Sequence, residues 1–100
     1  MQYEDIMKWL IHWYQSRCDG DWEHCYGIKI HTIDNPGWHV QVDISETDLV
    51  TKKFDAVDIN RSDFNWIYCS IKDLSFQGYC GVHNLHEVLQ IFKSWAESDS

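Results

Sequence analysis

The chain has 100 residues, 44% of them hydrophobic and 15% aromatic, with sixteen Asp and Glu against eight Lys and Arg for a formal net charge of −8. That composition excludes a disordered chain, and the length excludes two separate hydrophobic cores. The charge excludes direct binding to a phosphate backbone, which needs a basic footprint; it suits a cationic partner, or solubility alone.

Residues 3–17, YEDIMKWLIHWYQSR, predict the first helix. Ile6, Leu10, Trp13 and Arg17 share one face, and Met7, Ile11 and Tyr14 form a neighbouring stripe, so the expectation is a wide apolar face and a well-buried helix. Gly20 lies where a left-handed stop fits. A hairpin follows: Tyr26, Ile28, Ile30 and Thr32 alternate with polar positions, as do Trp38, Val40, Val42 and Ile44 after the turn. In Asp34-Asn35-Pro36-Gly37 the pattern predicts a type II turn, with Pro36 presetting φ and Gly37 taking the positive φ.

Residues 45–63 are polar with isolated apolar anchors at Leu49, Phe54, Val57 and Ile59, and read as a loop containing a short strand or helical turn. Residues 64–72 predict a third strand whose inward face is ambiguous, and Phe76 to Cys80 a fourth. Asn84, with Glu87 three residues on, marks the start of a last helix through Leu85, Val88, Leu89, Phe92 and Trp95. The tail Glu97-Ser98-Asp99-Ser100 is expected to fray.

The expected fold is therefore α+β, one domain over residues 1–100. A four-stranded antiparallel meander is flanked by an N-terminal and a C-terminal helix, both packed on one face. The other face would carry Lys29, His31, His39, Gln41 and Asp43, either as a binding surface or as a solvated face. No run of about 18 apolar residues and no charged-then-apolar leader occurs, so the expectation is a cytoplasmic protein with no membrane partner and reduced Cys.

The stretch CDGDWEHCYG, Cys18 to Gly27, concentrates three carboxylates, two thiols, an imidazole and an indole. Zinc would need four N or S ligands, usually in tight pairs. Neither Cys18, His24 and Cys25 nor Cys80, His83 and His86 supplies such a set, so no metal or other cofactor is expected. Cys80 precedes a helix start, where N–H groups favour a thiolate, but His86 stands where an anion-holding Arg would be needed. Counted from Asp19, a calcium loop would need Gly and Glu where the chain has His24 and Ile30. What remains is an acidic patch on the loop between helix and hairpin. Asp19, Asp21 and Glu23 are its charges, and Trp22 is either a contact anchor or a plug beneath the first helix. Trp38, His39 and Asp43 on the hairpin are further contact candidates.

Trp13-Tyr14, the block Cys18 to His24, Tyr26 to Ile28, and the block Asp34 to Trp38 with Val40, Val42 and Asp43 resemble the immunity protein 53 family of bacterial polymorphic-toxin systems. The similarity runs on through Leu49, Trp66, Phe76, Gly81, Asn84-Leu85 and Trp95. The family pattern has Gly-Gly-Pro where this chain has Cys80-Gly81-Val82, so the thiol falls outside the shared pattern. The resemblance implies a non-enzymatic antitoxin that binds a cognate toxin in the bacterial cytoplasm. Many such toxins are nucleases with basic grooves, which an acidic surface could occupy in place of nucleic acid. The competing reading is a small thiol- or metal-dependent enzyme, sulfurtransferase-like.

Overall fold

The computed structural model describes residues 3–98 of the chain. The elements run α1 (Tyr3–Arg17), a one-turn α2 (Trp22–Cys25), β1 (Ile28–Ile33), β2 (Gly37–Asp43), a 3₁₀ turn (Asp48–Thr51), β3 (Val57–Ser62), β4 (Asn65–Lys72), β5 (Ser75–Cys80) and α3 (Leu85–Glu97). Of the tail expected to fray, residues 99–100 lie outside the described residues, and α3 ends at Glu97.

The sheet has five antiparallel strands in the order β1-β2-β5-β4-β3, not a four-stranded meander. The added strand, β3, comes from the segment read as a loop containing a short strand or helical turn, and a 3₁₀ turn, Asp48–Thr51, lies there too. Only Val57 and Ile59 alternate inward in β3, against exposed Asp58 and Asn60, which is too short an apolar signal to stand out. After β2 the chain crosses to the far edge, and β3, β4 and β5 return to slot β5 beside β2.

Register settles the inward face. Val40 and Val42 face the helices with Gly78 and Phe76 opposite them, continued by Cys69 and Ile67 on β4. Ile6 and Leu10 of α1 and Val88, Leu89, Phe92 and Trp95 of α3 complete one buried cluster with that face. Phe92, fully buried, is its aromatic hub, with ring centroids of Trp13 and Phe76 at 5.1 Å and Trp9 at 5.8 Å. Truncating such a ring to Ala typically costs about 3–5 kcal/mol.

Three local expectations are corrected. Gly37 does not occupy a turn's positive-φ position: it opens β2 opposite Ile33, and a Cβ there would overlap the Cys80 carbonyl oxygen. The Asn35–Pro36 peptide is cis. Asn84 does cap α3, but its side chain bonds no backbone N–H; its Nδ2 donates to Glu87 Oε1 at 2.7 Å and Asn65 Oδ1 at 2.9 Å. Finally, α1 is buried on one stripe only. It leans toward α3 through Trp9 and Trp13, and the opposite stripe stays uncovered, with Met7 43%, Ile11 59% and Tyr14 40% exposed.

Gly78 is where α3 comes closest to the sheet, since a Cβ there would overlap Val88 Cγ1. Gly78→Ala is expected to destabilise the fold by about 1–3 kcal/mol through overpacking, read as a lower urea midpoint with unchanged slope.

Candidate functional site

The acidic loop is built by its own carboxylates. α1 ends at Arg17, and the chain reverses through Gly20 at φ 97°. The Asp19 carboxylate oxygen Oδ1 accepts the N–H groups of Asp21 and Trp22, both at 2.9 Å. Glu23 reaches back to accept the N–H groups of Asp19 and Gly20, each at 2.9 Å. The spacing D-x-x-x-E thus folds a loop whose donors would otherwise be left to solvent. Donation by Trp22 and then Asp21 holds the Asp19 carboxyl below its ordinary value. Glu23 is lowered likewise, chiefly by its own N–H and then by those of Asp19 and Gly20. Asp21 is exposed, and its carboxylate makes no hydrogen bond or ion pair among the described residues.

Trp22 is the plug. It is 3% exposed, its indole N–H donates to the Ser45 carbonyl at 2.9 Å, and Tyr26, Trp13 and Tyr14 surround it at ring distances of 5.9, 6.1 and 6.1 Å. Its ring is therefore turned into the fold. An indole in a half-apolar site uses both its area and its donor in this way.

Through Trp22 the loop meets a second acidic segment that sequence spacing does not reveal. Tyr26 donates its hydroxyl to Glu46 at 3.4 Å, Arg17 pairs with the exposed Asp48 at 3.6 Å, and the Gly27 N–H donates to Asp43 Oδ2 at 3.0 Å. The Ile44 N–H donates to Leu74 at the β4–β5 turn, which brings Asp73 alongside. One end of the molecule thereby gathers Asp19, Asp21, Glu23, Asp43, Glu46, Asp48 and Asp73. The last three are lone loop carboxylates with no motif around them; the crossover from β2 to β3 brings Glu46 and Asp48 here, and the β4–β5 turn brings Asp73.

The hairpin candidates separate by strand parity. Trp38 lies on the inward face opposite Cys80, its indole N–H donating to the Val82 carbonyl at 3.0 Å. His39 lies on the open face, stacked on Tyr79 at 4.2 Å with an interplanar angle of 4°. Its Nε2 is 2.6 Å from Gln77 Oε1 and its Nδ1 3.0 Å from His31 Nε2. The register extends this line as His31, His39, Tyr79 and Tyr68, an aromatic row across four strands. Beside it Gln41, Asp43, Ser70, Lys72 and Gln77 line a polar hollow of about 500 Å³. So His39 and Asp43 share a surface, and Trp38 lies behind it.

The thiol and metal alternatives find no geometry. Burial pushes the Cys80 thiol up to about 11 and the Cys69 thiol up to about 12, away from the thiolate a nucleophile needs. Cys80 is buried whereas His83 is exposed, and among the described residues no group of three or more His, Cys, Asp or Glu is placed to hold a metal ion. No described helix is long and apolar enough to cross a membrane.

These features define a small α+β domain with an array of carboxylates concentrated at one end. The family model described as Immunity protein 53 matches residues 7–97, and the chain belongs to that family. Neither a curated protein nor a solved structure matches it. Membership points to an immunity role.

Two outcomes follow from this geometry. Because both loop carboxyls are lowered on folding, their contribution is complete above the ordinary values of 3.8 for Asp19 and 4.5 for Glu23, and is lost as pH falls through the lower folded-state values. Protection of the Gly20, Asp21 and Trp22 amides, taken relative to the intrinsic exchange rate at each pH, should therefore fall on acidification below that window. In Asp19→Asn plus Glu23→Gln that protection should already be reduced at neutral pH. At pH 8 the exposed Cys25 should react promptly with a disulfide reagent, and Cys69 and Cys80 only on unfolding, read as thiols titrated before and after denaturant.

Proposed function

We propose that this protein is a bacterial antitoxin that neutralises a cognate polymorphic toxin by docking its acidic end against a basic surface of that toxin. The observation that carries the reading is the gathering of seven carboxylates from three chain segments at one end of a domain belonging to the immunity protein 53 family. Opposite potentials steer such a pair together and fix their orientation, and the net charge of −8 adds a long-range attraction.

The carboxylates divide by role. Asp19 and Glu23 shape the loop while keeping their charge, and Asp43 is bonded to Gly27. Asp21, Glu46, Asp48 and Asp73 lie on loops and turns at the rim. Trp22 acts indirectly, by holding the loop to Ser45. His39, with its neighbours on the open face, is a second contact region, and Trp38 supports it from behind. A nuclease with a basic substrate groove is the toxin class whose charge this end fits best, and the encounter would take place in the cytoplasm, with no nucleic acid or membrane contacted by the antitoxin itself.

Co-expression with the cognate toxin tests the role: growth should be rescued by this chain and not by an unrelated acidic protein. For the surface, Asp21→Lys changes an exposed carboxylate that makes no hydrogen bond or ion pair among the described residues. It is expected to slow toxin association by roughly tenfold or more at low salt and to flatten the salt dependence, with unchanged melting temperature. Unaltered association kinetics would remove this end from the interface.

A further inference from the structure

The two sheet edges differ. β3 carries Asp58, Arg61 and Asp63 about its length, its pairing with β4 is interrupted between Asn60 and Ser62, and Arg61 ties it to Glu87 of α3 through two bonds of 3.0 Å. Charges and irregularity of that kind protect an edge from further pairing. β1 is guarded more lightly. Its six residues pair with β2 without interruption, and Lys29 is its only charge.

The phase of its hydrogen bonds can be read from one contact. The Asp43 N–H donates to the Gly27 carbonyl at 3.0 Å, so the closely bonded pairs recur every second residue, at Lys29/Gln41, His31/His39 and Ile33/Gly37. Ile28, Ile30 and Thr32 consequently turn their N–H and C=O groups away from β2, toward the open edge; of these, the Thr32 carbonyl has the His31 ring nitrogen Nδ1 at 3.2 Å. Directly beside this edge lies the uncovered stripe of α1. Leu10, Ile11, Tyr14, Gly27 and Ile28 line an apolar groove of about 340 Å³, with Ile11 59% exposed at its lip.

We propose that β1 and this groove accept an extended segment of the toxin as a sixth strand. The proposal rests on the antitoxin reading and adds where and how the partner is gripped. Main-chain bonds to Ile28, Ile30 and Thr32 would supply affinity, and every second side chain of the segment, being apolar, would enter the groove. Charge selects the occupant. At the Gly27 end the groove abuts the acidic loop: the Tyr14 ring packs on Trp22, and Gly27 bonds Asp43. The segment therefore carries Lys or Arg at the end that lies there. A second copy of this chain would bring another −8 charges to the same place and is repelled.

The test uses the intact protein and two probes. The first is a short capped peptide of alternating Val and Thr with Lys residues at one terminus, compared with its counterpart ending in Glu. The Lys peptide should slow amide exchange at Ile28, Ile30 and Thr32 by roughly tenfold or more, and the Glu peptide should bind at least about tenfold more weakly. The second probe is the cognate toxin identified by the growth-rescue experiment. Thr32→Pro removes an outward N–H without touching the β2 pairing, a strand position where Pro is tolerated, and Ile11→Asp charges the groove lip at an exposed site. Each should weaken toxin binding about tenfold or more with an unchanged unfolding curve, and if one variant folds poorly the other still decides. Wild-type toxin affinity in both variants overturns the edge proposal and leaves the antitoxin reading standing. Failure of the wild-type chain to bind or neutralise the toxin overturns that reading itself. A wild-type dimer in sedimentation that both variants abolish assigns the edge to self-association and overturns the proposed occupant.

Discussion

The indole of Trp22 connects the parts of this molecule on which its chemistry depends. It stands between α1 and the segment after β2, with aromatic contacts to Trp13, Tyr14 and Tyr26 and a hydrogen bond to Ser45. A buried ring of this size anchors a loop that has almost no other apolar content, and the carboxylates on either side are free to face water only because the Trp does not. The loop is thus half core and half surface within four residues, Asp19 to Trp22.

The same economy governs the helices. Both pack on one sheet face, and their contact with each other, through Trp9, Trp13 and Phe92, draws α1 away from the β1 edge. The consequence is two surfaces of opposite character at one corner of the molecule: an apolar groove with unpaired main-chain groups, and an acidic end. Interfaces commonly combine an apolar centre with a charged surround, the first supplying affinity and the second orientation. The open sheet face, with its aromatic row and polar hollow, is a third surface of more neutral chemistry.

Much of this was legible beforehand. The terminal helices, the first hairpin and the polarity of Lys29, His31, His39, Gln41 and Asp43 follow from periods of 3.6 and 2, which depend only on local geometry. The family, too, was readable in the paired blocks around Asp19 to His24 and Asp34 to Trp38. What escaped was set by distance along the chain. β3 could not be told from a helical turn within its loop because a half-exposed edge strand needs only two inward side chains, Val57 and Ile59. The stripe of Met7, Ile11 and Tyr14 was expected to be buried because an apolar pattern reports affinity for a core, not whether an element is there to cover it.

By itself, then, the sequence determined the terminal helices, the inward phase of the first hairpin and the concentration of charge in one loop, since each is an interaction between residues a few positions apart. Tertiary structure alone decided that Trp22 faces inward, that Glu46, Asp48 and Asp73 join the acidic loop, and that β1 keeps an open edge beside an uncovered helix stripe. Each of those depends on where the chain crosses after β2 and on how α1 leans upon α3, choices made by packing between distant segments that no local pattern records.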